Sequence, residues 1–178
     1  MYSLDCAIAE ILKSIPLPDK AELLLDSASC GGSSLLRIFC DEQAAEGSFL
    51  AQVDAGIVVG GAINVIFEID LDMNPGHLCG KFYRPTKALC AKYGPKRGGR
   101  IFKISDSAHV IQVLQAPVQD SRKRKQWLRL QEMFQADLDR DSGGKIRTHQ
   151  LFYEKVSGDF SQEDNRQDLI DHVLYAIA

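Results

Sequence analysis

The chain has 178 residues, a net charge of −3 and 45% hydrophobic residues, enough for one domain with a real core. No run approaches the ~20 apolar residues that span a bilayer. The first twenty residues carry Asp5 and Glu10 and lack a basic leader, so the reading is a single cytoplasmic domain over residues 1–178 with no membrane partner. Cys6, Cys30, Cys40, Cys79 and Cys90 are odd in number and form no Cys-x-x-Cys pair. That argues against a disulfide framework and a zinc site, and for buried, reduced thiols.

In chain order, residues 4–15 place Leu4, Ile8, Ile11, Leu12 and Ile15 on one helical face, ended by Pro16 and Pro18. A Gly/Ser turn precedes a strand at 35–39, and 41–47 reads as a loop. Residues 49–59 and 62–71 are two β-branched runs around Gly60-Gly61, the pattern of a β-hairpin. Their apolar character on both faces puts them in the middle of a sheet. A helix is expected over 78–92, ended by Gly94-Pro95. Residues 100–104 and 109–114 read as further strands or one interrupted strand. A helix over 122–138, a strand over 146–156 and a helix over 162–177 close the chain. This mixed order implies an α/β fold with a central mixed sheet covered by helices.

Charge is unevenly spread. From Lys81 to Lys103 the chain carries eight basic residues and no Asp or Glu, and a second basic cluster spans Arg122 to Lys125. Such segregation can create a local positive field on an acidic protein.

Simple pairing across the Gly60-Gly61 turn sets Asp54 opposite Phe67 or Glu68, and a one-residue bulge makes the Glu68 pairing direct. Cross-strand neighbours lie about 4.5–5.5 Å apart at Cβ. Two carboxylates at that separation inside apolar strands repel each other and are costly to bury, and a divalent cation relieves both. Asp70 shares the Glu68 face of the strand. Asp72 extends the series into the loop that follows.

The residues Val53-Asp54, Glu68-Ile69-Asp70, Pro75 and Gly80-Lys81 resemble the PD-(D/E)xK nuclease superfamily, most closely over residues 35–115 and in a group of small members. The family pattern is an Asp on one strand and Glu-x-Lys on the next. Here Asp70 stands where lysine is usual, and Lys81, at the start of the next helix, is the replacement candidate. The resemblance implies a restriction-endonuclease-like mixed sheet flanked by helices on both faces. It implies Mg²⁺ or Mn²⁺ held by Asp54, Glu68 and the Ile69 carbonyl, with Asp70 and Lys81 completing the catalytic set. The metal would polarise a scissile phosphate and activate water. Arg84, Lys87 and Lys92 would hold the nucleic-acid backbone, with DNA as the expected partner, and a homodimer would suit duplex cleavage. The resemblance also offers an acidic residue from the first helix as a further ligand, either Asp5 or Glu10. The periodicity turns Glu10 towards solvent. Two alternatives stand beside the nuclease reading. One is a catalytically degenerate module that keeps the fold and binds nucleic acid or protein. The other is a helper subunit that docks on an acidic partner.

Overall fold

The computed structural model describes residues 3–70, 75–115, 121–141, 143–154 and 158–178. Asp72 and the side chains of Arg122, Lys123 and Arg124 lie outside that description. Among the described residues are four α-helices, α1 (Leu4–Ser14), α2 (Pro75–Thr86), α3 (Ser121–Arg140) and α4 (Glu163–Ile177). Eight strands form one mixed sheet: β1 (Ala21–Leu25), β2 (Leu35–Phe39), β3 (Phe49–Gln52), β4 (Ala55–Val59), β5 (Ala62–Asp70), β6 (Cys90–Gly94), β7 (Arg100–Leu114) and β8 (Ile146–Tyr153). No helix among the described residues is long and apolar enough to cross a membrane.

The sheet runs β1-β4-β5-β7-β6-β2-β3, with β8 added to β7. The β1-β4-β5 part is antiparallel, whereas β5 to β7 and β7 to β8 are parallel. The fifteen-residue β7 serves two neighbourhoods. Its first half pairs with β6 and its second half with β8, while β5 follows it along the other side. The hairpin of β4 and β5 therefore lies inside the sheet, as its two-faced hydrophobicity requires.

Alternation along these strands feeds two cores. Ala55, Ile57, Val65, Phe67, Ile69, Ile111 and Val113 pack beneath α1 and α4, meeting Leu4, Ile8, Leu169 and Val173. Val58, Ile63, Ile66 and Val110 face Phe82 of α2, Phe134 and Leu138 of α3, and Leu36, Ile38 and Ala91 of the β2–β6 limb. Phe82 and Phe134 stack at 4.0 Å between centroids, binding α2 to α3. Each such fully buried side chain stabilises the fold by roughly 1.5–3 kcal/mol.

The β2–β6 limb folds back towards β1 and β4. Val53 donates its N–H to the Leu36 carbonyl, and Asp26 bridges to Ser34. The fully buried Asp26 carboxylate accepts the N–H groups of Ala28 and Leu36 and the Gln52 side-chain amide, each at 2.8 Å. At the other end, α3 covers the outer edge of β8. The Gln131 side-chain carbonyl accepts the Leu151 N–H, and Gln135 both accepts the His149 N–H and donates to the Arg147 carbonyl.

Several expectations need correction. The short Leu-rich strand β1 has no counterpart among the expected elements. Residues 49–59 are two strands, broken at Val53-Asp54. The helix expected over 78–92 stops at Thr86, because Pro85 lacks an N–H and its ring crowds the preceding turn. Residues 90–94 are then free to form β6, so Lys92 lies on a strand. Cys6 and Cys40 are exposed, while all five thiols are free.

Candidate active site

The hairpin turn has positive φ at both Gly60 and Gly61, a conformation glycine adopts without steric cost. Val59 faces Ala62 and Val58 faces Ile63, but Ile57 faces Val65. Asn64 is thus the bulged residue, and it shifts the register by one. Beyond the bulge Ala55 pairs with Phe67, which carries Asp54 to the level of Glu68.

Asp54 is held from three sides. Its N–H donates to the Phe67 carbonyl at 3.1 Å, and its carbonyl accepts the Asp26 N–H at 2.9 Å. Its carboxylate Oδ2 accepts the Ile69 N–H at 2.6 Å. A charged acceptor strengthens that last bond and fixes the carboxylate against β5.

Lys81 reaches this place from the second turn of α2. Its Nζ donates to the Ile69 carbonyl at 2.8 Å and lies 3.3 Å from Glu68 Oε2 and 3.7 Å from Asp54 Oδ2. The ammonium is therefore set among the three oxygens that the family resemblance gives to a metal. Glu68 and Asp54 side chains are 3% and 17% exposed and Lys81 is 29% exposed, so the site opens to solvent chiefly on the lysine side.

The electrostatics follow from burial. Burial pushes the Glu68 carboxyl up to about 8, the Lys81 charge opposes this, and the Asp54 and Asp70 charges add to it. Burial also disfavours the Lys81 ammonium, but Glu68, Asp54 and Asp70 together outweigh it and raise the lysine. Burial thus favours a proton on Glu68 and the surrounding carboxylates favour the charge on Lys81, so the two groups share their protons as a coupled pair.

Asp70 is buried on the same strand face as Glu68. Gln112 is the β7 partner of Glu68 in register. Its amide is committed elsewhere, donating to the Leu78 carbonyl at 3.3 Å and meeting His149 Nε2 at 2.6 Å. No local pattern singles out Gln112, since its partners come from three separate elements. Asp5 is nearer the site than its helix position alone reveals. Burial raises its carboxyl, the Asp54 charge raises it further, and Lys81 lowers it. Glu10 instead pairs with Lys13 at 2.8 Å on the surface. Trp127 is core, packed with Leu78, Leu114 and Leu151.

The three expected phosphate-binding residues are distributed differently from the helix expectation. Arg84 is exposed at the end of α2. Lys87 lies 3.6 Å from Asp141. Lys92 lies beside Arg37 on the β2–β6 limb.

The donor set of Asp54, Glu68 and the Ile69 carbonyl consists only of hard oxygens converging on one cation position, which suits a small divalent ion completed by water. Among the described residues no group of three or more His, Cys, Asp and Glu side chains is placed to hold a metal, so a metal here would depend on the backbone carbonyl and on solvent. Compared with known proteins, the chain matches no family model, no curated protein and no solved structure.

Proposed function

We propose that the chain is a Mg²⁺- or Mn²⁺-dependent nuclease of restriction-endonuclease-like fold that hydrolyses phosphodiester bonds of nucleic acid, with DNA as the substrate. The observation that carries this reading is the seat of the Lys81 ammonium among the oxygens of Ile69, Glu68 and Asp54. Two carboxylates and a carbonyl pointed at one cation favour a divalent ion, and the strand order Asp54 then Glu68 follows the family pattern. The same proposal puts the chain in the cytoplasm, in keeping with its five free thiols, and allows a homodimer on duplex DNA.

In this reading Asp54, already oriented by the Ile69 N–H, and Glu68 in its deprotonated form would hold the ion together with the Ile69 carbonyl. A bound ion would supply Lewis-acid polarisation of the phosphate and a lower pKa for the attacking water. Lys81 would have to leave its present position for the ion, and its ammonium would then be available to orient that water or meet the phosphate. Asp70 stays buried and adds negative charge behind the site. Arg84, Lys87 and Lys92 contact backbone phosphates, sequence-independently.

A second reading rests on the same lysine. Lys81 neutralises the carboxylates without any metal, which suits a degenerate module that binds nucleic acid or protein without cutting. Titration calorimetry with Mn²⁺, together with hydrolysis of bis(p-nitrophenyl) phosphate and plasmid DNA, separates the two. Metal binding and cleavage, both lost in Glu68→Ala, support the nuclease. Absence of both in the wild type leaves the degenerate module.

A further inference from the structure

We infer that the outer face of β2, β3 and β6 is a binding groove for single-stranded nucleic acid, built from Arg37, Lys92, Lys96, Arg97 and the exposed ring of Phe49. The choice of nucleic acid over other polyanions rests on the nuclease reading of the carboxylate site.

Arg37 and Lys92 are direct cross-strand partners in antiparallel strands. Like charges so placed destabilise a sheet, and the turn that follows β6 adds Lys96 and Arg97 to the same hollow, whose volume is about 890 Å³. Glu46 is the one acidic residue lining it among the described residues. Among those residues, too, none of Lys92, Lys96 and Arg97 is engaged in a salt bridge.

The cations sit on a built support. The Arg37 guanidinium donates to the carbonyls of Pro95 at 2.9 Å and Lys96 at 3.0 Å, locking the turn against β2. A side chain on Gly99 would lie 2.7 Å from the Tyr93 carbonyl, and one on Gly94 would overlap the Gly99 Cα, so the turn closes only as glycine. Phe49 is 51% exposed and braced edge-on by Phe39 at 5.9 Å. An aromatic face beside a row of cations matches a strand whose phosphates meet charge while a base stacks. In a duplex Phe49 would reach a base only by unstacking a step, a cost that a single strand does not impose.

The test is fluorescence anisotropy of a labelled oligothymidylate with the full chain at low salt in EDTA, where turnover plays no part. The wild type binds saturably. The double variant Lys96→Ala/Arg97→Ala flattens the log–log salt slope by about 0.7 for each phosphate that the protein no longer neutralises. Phe49→Ala weakens binding about tenfold with the slope kept, and Phe49→Tyr restores it. Failure of the wild type to bind overturns the inference, as does an unchanged slope in the double variant. So does a heparin fragment that binds as tightly as the oligonucleotide and is indifferent to Phe49→Ala, which would assign the face to an acidic partner. Hydrolysis of a small diester reports separately on the carboxylate site, so either reading can fail alone.

Discussion

Lys81 donates to the Ile69 carbonyl at 2.8 Å, reaching back across twelve residues of chain from α2 to the strand before it. The lysine therefore shares its seat with any metal that uses that oxygen, and the two cations exclude each other. Lys81→Met should tighten Mn²⁺ binding, on the order of tenfold, by removing the competitor. The same variant should slow hydrolysis by roughly 10²–10⁴, the scale for a positioned proton-transfer group. Calorimetry and single-turnover kinetics check the two effects, and weaker metal binding in Lys81→Met would contradict the shared seat.

Metal affinity should rise with pH. Glu68 is pushed up to about 8 by burial, so below that pH an incoming ion must first displace a proton. The apparent affinity should increase about tenfold per pH unit between pH 6 and 8 and level off above. Asp54→Ala and Glu68→Ala should abolish the calorimetric signal. A pH-independent isotherm would show that Glu68 is not a ligand.

Glu68 should also set the stability of the metal-free chain. Its folded-state pKa lies above the unfolded value of about 4.3, so the folded state holds the proton more tightly. That stabilisation is fully present below about 4.3 and is lost as pH rises through about 8. Glu68→Gln keeps the shape without the charge. It should unfold like the wild type at pH 5 and be more stable by roughly 2–4 kcal/mol at pH 8.5. Thermal melts across this range check it, and parallel curves for the two proteins would refute it.

Asp26 should matter for folding far beyond its surface share. Its carboxylate satisfies two backbone N–H groups and the Gln52 amide while fully buried. Asp26→Ala leaves those donors without their acceptor and should cost roughly 3–5 kcal/mol, measured by urea denaturation. Asp26→Asn, which retains one acceptor oxygen, should cost less.

The hairpin and its carboxylates are readable because β-branched runs and a Gly-Gly turn are local signals, and the Asn64 bulge supplies the one-residue shift that brings Asp54 level with Glu68. The strands β1 and β6 are absent from the expected elements for different reasons. Five residues such as Ala21–Leu25, three of them leucine, carry too little periodicity to separate strand from helix. For Cys90–Gly94 a usable signal exists, since Pro85 inside the expected helix marks its end. That Asp5 feels the Asp54 and Lys81 charges depends on how α1 is seated over the sheet, which no local pattern encodes. The groove is hidden because Arg37 and Lys92 are joined only by strand pairing.

The glutamines of α3 have a consequence for assembly. A bare outer strand invites a second copy to continue the sheet across the boundary, in a symmetric pair or an open-ended stack. With Gln131 and Gln135 already occupying backbone groups of β8, that invitation is withdrawn at this end. A homodimer of this chain that extends the sheet would have to join through one of the two remaining edge strands, the five-residue β1 or the four-residue β3.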